Sequence, residues 1–280
     1  MVKRALLIGI NYNSLPDLKL NGCVNDIILM RNVLIDAYGY NKRNITMLRD
    51  DGLPQYQLPN RNNILNSLES LCALTTTSDE LWVHYSGHGT YRRDYNNDEV
   101  DGYDEVIVPL DYETNGTIVD EQLKAVLETA AGTVIISQDC CNSGTGWDLP
   151  YRFTSDASNR AVLYSESRKM NNSNIYMFSG SRDDQLAADT YNTDTVQSIG
   201  AFTNALVDCL RDGNHSNNLI SLRTNINNNL ENNGFTQRTE FTSSNRTPDN
   251  VILTRNGIVN NPPPPVVILN PSRPSGLMFL

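Results

Sequence analysis

Two apolar runs, residues 81–85 and 133–137, each break off abruptly into a turn of small residues. Runs that are apolar throughout suit strands buried on both faces, as in a parallel sheet covered by helices. Residues 5–10, 45–48 and 175–178 read the same way, the last ending at Ser179-Gly180-Ser181. Between them the apolar spacing is helical. Ile27, Met30, Val33 and Leu34 follow Asn25 or Asp26 as a candidate cap, with Gly39 as a stop. Ile64, Leu65, Leu68 and Leu71 follow an opening at 60–63, and Leu123, Val126 and Leu127 follow Val119 or Asp120. Helices are also predicted over 201–210 and 219–230. Strands alternating with helices give an α/β class with a mostly parallel central sheet, helices on both faces. Functional groups in such sheets gather at the carboxyl ends of the strands, which is where both small-residue turns fall.

The remaining stretches are less regular. Residues 105–108 read as a small extra strand stopped by Pro109, and Phe241 with 251–253 as material for a late strand. Residues 151–174 are polar with little periodicity and read as a loop linking two halves of one sheet. The tail from 261 to 280, with four consecutive prolines at 262–265, cannot continue regular structure.

A formal charge of −10 argues against a nucleic-acid partner, which demands clustered Lys and Arg, and suits cationic segments or metal ions. The five cysteines are sparse, without disulfide-framework or zinc spacing. The start, Met1-Val2-Lys3-Arg4 before residues 5–10, mimics a signal peptide. Its apolar part is short and leads straight into Asn11-Tyr12-Asn13, so a buried strand is the better reading. No run approaches membrane-spanning length. The expectation is a reduced, cytoplasmic protein with no membrane partner.

The first turn presents His88 between two glycines that let the backbone approach a ligand. His84 competes, but its place inside the strand suggests packing, and His215 has no motif around it. The second turn presents Cys140 and Cys141, followed by Asn142-Ser143-Gly144, residues too small and polar for a core. Cys141 is the candidate nucleophile; were it core-facing, Cys140 would be the exposed thiol. A thiol needs a base to become a competent nucleophile. The histidine comes first, with roughly fifty residues between it and the cysteine, an order and gap noted for caspase-type cysteine peptidases.

Tyr85-Ser86-Gly87-His88-Gly89-Thr90 and Asp139-Cys140-Cys141-Asn142-Ser143-Gly144 resemble the paired catalytic motifs of metacaspases. The resemblance extends over the segments 5–12, 20–26, 101–105, 109–112, 118–121 and 179–185, so it runs from residue 5 to about 253. It implies a single caspase-like peptidase domain over 1–260: a p20-like part of about 1–150, a linker of about 151–174 and a p10-like part of about 175–260. Residue by residue, it makes Cys141 the nucleophile, His88 the general base, and the backbone N–H groups of Gly87 and Cys141 the oxyanion hole. Asp26 and Asp139, with Cys23 and Ser86, become the S1 pocket. Paired carboxylates favour a cation at P1, hence protein or peptide substrates cut after Arg or Lys. Helix capping is the plainer alternative for Asp26.

Asp104, Asp120, Glu121 and Asp148 match positions that bind calcium in several metacaspases, and hard carboxylate oxygens suit that ion. Two departures stand out: Asn142 where the family usually has His, and Glu121 where Asp is commoner. The chain resembles a type I-like member without a prodomain and is expected to be a monomer. Arg152, Arg168 and Lys169 are candidate self-cleavage sites. The expected activity is a calcium-stimulated cysteine endopeptidase acting through a Cys–His dyad and an acyl-enzyme. The alternatives are a calcium-independent Arg/Lys-specific peptidase and a catalytically idle scaffold or binding module.

Overall fold

A computed structural model describes residues 1–93, 103–140, 147–153, 162–164, 169–181, 189–192, 197–212 and 215–260. In chain order the elements are β1 (Lys3–Gly9), α1 (Cys23–Asp36), β2 (Ile45–Arg49), α2 (Arg61–Ala73), β3 (Glu80–Ser86), β4 (Gly89–Arg93), β5 (Tyr103–Ile107), α3 (Tyr112–Asn115), β6 (Ile118–Val119), α4 (Asp120–Leu127) and β7 (Thr133–Asp139). There follow β8 (Tyr151–Phe153), β9 (Val162–Tyr164), β10 (Ile175–Ser181), β11 (Asp189–Asn192), β12 (Gln197–Gly200), α5 (Ala201–Asp212), β13 (Ser216–Asn218), α6 (Leu219–Asn232), β14 (Arg238–Ser243), β15 (Val251–Thr254) and β16 (Gly257–Asn260).

The central sheet has the order β2-β1-β3-β7-β10-β14-β8-β9. Its first five strands are parallel, and β14, β8 and β9 add antiparallel pairings at one end. Each central strand feeds two cores because its side chains alternate between faces. Ala5, Leu7, Trp82 and Ile135 pack with Ile27, Met30, Val33 and Leu34 of α1 and with α5 and α6. Leu6, Ile8, Leu81, Val83, Val134 and Ile136 pack on the other face against Ile64, Leu68 and Cys72 of α2 and Leu123 and Leu127 of α4. Burial on both faces explains the unbroken apolar runs. The architecture is the expected caspase-like α/β fold.

Several local readings need correction. α1 begins at Cys23, with Gly22 as its N-cap and no side-chain capping bond of its own. The capping acceptor comes from outside: Asn11 Oδ1 accepts from the Val24 N–H at 3.2 Å. Asp26 is therefore released from capping. Residues 151–174 are not wholly a loop, since β8 and β9 extend the sheet. Phe153 is buried 5.5 Å from the Phe241 ring, and Arg152 is paired with Glu240 at 2.9 Å. β10 continues through Ser179-Gly180-Ser181, where a Cβ on Gly180 would run into Phe202 and Gln237. Phe241 lies in β14 of the central sheet, whereas β15 joins β13 and β16 in a separate small sheet. The proline tail and the Arg168 position lie outside the described residues.

Candidate active site

Gly9, Ser86 and Asp139, the last residues of β1, β3 and β7, stand side by side in register. The loops beyond them form one rim at the carboxyl edge of the sheet. β1 ends where α1 must pass close by: a Cβ on Gly9 would come within 2.5 Å of the Cys23 carbonyl oxygen. The first turn of α1 thus rests on the same rim, and Cys23 and Asp26 with it, both buried.

His88 follows β3 and is partly buried. Its Nε2 lies 2.7 Å from the Leu18 carbonyl oxygen. A carbonyl oxygen only accepts, so Nε2 carries the proton and the neutral ring keeps Nδ1 as its basic nitrogen. The ring packs on Tyr12, centroids 4.7 Å apart. Gly87 is obligatory before it, because a Cβ there would meet the Tyr85 and Tyr12 hydroxyls at 2.7 and 3.2 Å. The Gly87 N–H makes a long bond of 3.4 Å to the Asp139 carbonyl. His84, by contrast, is fully buried. Ser137 Oγ accepts from Trp82 Nε1 at 2.9 Å and is hydrogen-bonded to His84 Nδ1 at 2.8 Å, and burial pulls the imidazole down to about 3. It is a packing residue. His215 lies in a left-handed turn after α5.

The two acidic residues converge on one glycine. Asp26 Oδ2 accepts from Ser86 Oγ at 2.5 Å, and its Oδ1 accepts from the Gly200 N–H at 2.8 Å. Asp139 Oδ2 accepts from both the N–H and the hydroxyl of Thr203, at 2.9 and 2.8 Å. Thr203 is in the first turn of α5, whose unpaired N–H groups and dipole favour a carboxylate. A Cβ on Gly200 would overlap the Asp139 carboxylate and come within 3.0 Å of Asp26 Oδ2. Both carboxylates are thus nearly enclosed, at 1% and 6% exposed, and fixed from the second half of the chain. Among the described residues, no hydrogen bond falls on Asp139 Oδ1. Asp26 is not a cap; it is part of this pair.

Cys141 lies outside the described residues. Its neighbour Cys140 is buried in the core, with Sγ accepting from Gln138 Nε2 at 3.0 Å. Cys140 is not the exposed thiol. Burial pushes the Cys72 and Cys209 thiols up to about 12, which silences them as nucleophiles at neutral pH.

Asp104, Asp120 and Asp148 are all buried. Asp120 opens α4 and accepts from the Glu105 and Glu121 N–H groups, each at 3.1 Å. Burial, then the negative charges of Asp148, Glu121 and Glu105, raise its carboxyl to about 9. Trp147 and Asp148 hold φ of 47° and 58°, a conformation costly for a tryptophan, and Asp148 lies near enough for its charge to act on Asp120. The oxygen-only donors have the right chemistry for a hard cation. Yet among the described residues no three acidic, His or Cys groups converge closely enough to hold one. Asp104 is engaged instead by Arg92, Nε to Oδ2 at 2.8 Å.

Tyr12, the Leu18 carbonyl, Gly200 and Thr203 are site residues that sequence reasoning missed. The only local signal was a glycine just ahead of a helix, with threonine in its first turn.

Residues 3–150 match the family model described as metacaspase, peptidase C14 domain. Metacaspase-1 of Arabidopsis thaliana is 36% identical over 243 residues, covering 81% of this chain and 65% of its own. Metacaspase-1B of Aspergillus niger is 31% identical over 290 residues, covering 86% and 65%. Metacaspase-1 of Cryptococcus neoformans is 43% identical over 157 residues, covering 55% and 34%. The chain thus spans less than two thirds of the length of these relatives. Protein GSU0716 from Geobacter sulfurreducens shares the fold, with a TM-score of 0.61 at 22% identity over 87% of this chain and 93% of that one. No helix among the described residues is long and apolar enough to cross a membrane.

Proposed function

The chain belongs to the metacaspase family, peptidase C14, and from that premise we propose that it is a cysteine endopeptidase cutting peptide bonds after Arg or Lys. The observation that carries the specificity is the enclosed pair Asp26 and Asp139, held on either side of Gly200 and bonded to Ser86 and Gly87, the two residues before His88. Two carboxylates in so confined a space favour a cationic side chain strongly over a neutral one. Asp139 Oδ1 is the oxygen available to a guanidinium or ammonium, with Asp26 adding charge behind it.

In the proposed reaction His88 Nδ1 takes the Cys141 thiol proton, and the thiolate attacks the scissile carbonyl carbon. The Gly87 N–H exchanges its long bond to Asp139 for the developing oxyanion, which is a stronger acceptor. As the tetrahedral intermediate collapses, the proton passes from His88 to the leaving amine. Water, deprotonated by the same nitrogen, then hydrolyses the thioester. The Leu18 carbonyl supports the role of His88 throughout by holding the proton on Nε2 and stabilising the imidazolium.

Stimulation by calcium is part of the proposal. When bound, the ion would offset the mutual repulsion among Asp120, Asp148, Glu121 and Glu105 that burial intensifies. Asp104 would have to exchange Arg92 for the metal. Cytoplasmic residence and a monomeric state complete the reading. The test is turnover of fluorogenic peptides with Arg, Lys or neutral P1 residues, with calcium and with EGTA, beside Cys141→Ala. Calcium-dependent, Cys141-dependent cleavage after Arg or Lys is expected. Turnover unchanged by EGTA would leave a calcium-independent peptidase, and no turnover at all would leave a scaffold.

A further inference from the structure

We infer that Tyr12 is a positioning residue for the catalytic base, holding His88 by its backbone and its ring at once; this rests on the reading of His88 as that base. Tyr12 is fully buried, yet its backbone is left-handed at φ 53°, a conformation that a bulky side chain rarely adopts. Strain of that kind persists only where the surroundings impose it.

The hydroxyl accounts for the imposition. It has one proton, which it donates to the Val108 carbonyl at 2.6 Å. Its lone pair accepts from the His88 N–H at 3.0 Å. Tyr85 completes the frame by donating to the His88 carbonyl at 2.7 Å, and the Val108 N–H donates to the same carbonyl at 3.1 Å. Both backbone polar groups of His88 are therefore tied to buried hydroxyls, and the Tyr12 ring lies against the imidazole at 4.7 Å. Three strand ends meet here: Tyr12 comes from the loop after β1, His88 from the turn after β3 and Val108 from the end of β5. The one remaining freedom of His88 is rotation of its ring, and the Tyr12 face and the Leu18 carbonyl restrict that. Removing the Tyr12 hydroxyl leaves the His88 N–H without this acceptor and the Val108 carbonyl with only the long 3.4 Å contact to the Tyr85 hydroxyl, and so loosens the base.

The test combines kinetics with a direct view of the ring. The chain has three histidines, so long-range ¹H–¹⁵N spectra of histidine-labelled protein resolve each tautomer. Wild type is expected to show His88 as the Nε2–H form. Tyr12→Phe keeps the ring and its volume; it is expected to show averaged His88 tautomers, a kcat lower by about tenfold and a KM within about twofold, since the base acts in the transition state. Tyr12→Leu, lacking the packed ring as well, is expected to lose about a further tenfold; where it is too unstable to purify, Tyr12→Phe alone decides. A wild-type turnover that Tyr12→Phe leaves intact, with the His88 tautomer unchanged, would overturn the inference while leaving the peptidase reading standing. Wild type without Cys141-dependent turnover would overturn the peptidase reading and, with it, any catalytic role for Tyr12.

Discussion

Gly200→Ala tests the acidic pocket with one methyl group. The added Cβ would overlap Asp139 Oδ2 and lie 2.8 Å from its Cγ, whereas ordinary contact begins at 3.4 Å, so Cγ must retreat by at least about 0.6 Å and Oδ2 by more. It cannot do so freely, because Thr203 grips Oδ2 with two bonds of 2.9 and 2.8 Å. Either one charge-assisted bond breaks, at about 1.5–3 kcal/mol, or the β12–α5 junction shifts, at a similar cost of about 1–3 kcal/mol. On either route Asp139 moves relative to the P1 side chain, and a displacement approaching 1 Å costs up to about a hundredfold in rate. The expected result is kcat/KM for Arg-P1 peptides lower by about 10- to 100-fold, with the melting temperature down by several degrees. Alkylation of Cys141 by iodoacetamide should proceed at the wild-type rate, because the dyad is untouched. A Gly200→Ala protein with wild-type kcat/KM would refute the geometry argued for the pocket, since the methyl group has no other place to go.

Other expectations follow from the same contacts. His84 is held neutral in the fold, near 3, but titrates near 6.5 when unfolded, so the unfolded chain binds the extra proton between those values. Stability present above about pH 6.5 is therefore lost as pH falls, at up to about 1.4 kcal/mol per unit; urea midpoints between pH 7.5 and 5 should show that slope, and His84→Gln should flatten it. Arg92→Ala removes one competing counter-ion from Asp104 and should tighten calcium binding by about two- to fivefold in isothermal titration, the size of a half-exposed ion pair; unchanged affinity would remove Arg92 as a competitor of the metal. Any self-cleavage should fall after Arg168 or the exposed Lys169 and never after Arg152, whose strand is paired on both sides with Thr242 and Leu163. Mass spectrometry of the fragments reads this directly, and a cut after Arg152 would require the sheet edge to open first.

Much of the fold was legible because burial on both faces writes itself as unbroken apolar runs. Residues 81–85 and 133–137 fall within β3 and β7, and Ile27, Met30, Val33 and Leu34 face the core as their spacing requires. The cap of α1 was not legible, because its acceptor, Asn11, comes from a separate loop. β8 escaped notice because three residues carry no period; its place is set by Phe153 against Phe241 across 88 positions of sequence. At the site, His88 stood out between its two glycines, whereas Asp26 and Asp139 were indicated only by the resemblance to metacaspases. The groups that hold them did not stand out. Leu18 acts through a carbonyl that every residue possesses, Gly200 through the absence of a side chain, and Thr203 through a helix end 64 residues from Asp139.

In the proposed reaction one sulfur and one imidazole serve a pocket built for a basic side chain. The most direct measurement is the P1 profile of the wild-type protein on a mixed peptide library in calcium, read by mass spectrometry of the new carboxyl termini, beside Asp139→Asn and Cys141→Ala. Cuts confined to Arg and Lys, sharply reduced in Asp139→Asn and absent in Cys141→Ala, are the expected outcome. Cuts after neutral or acidic residues, or a Cys141→Ala protein that still cleaves, would contradict the account.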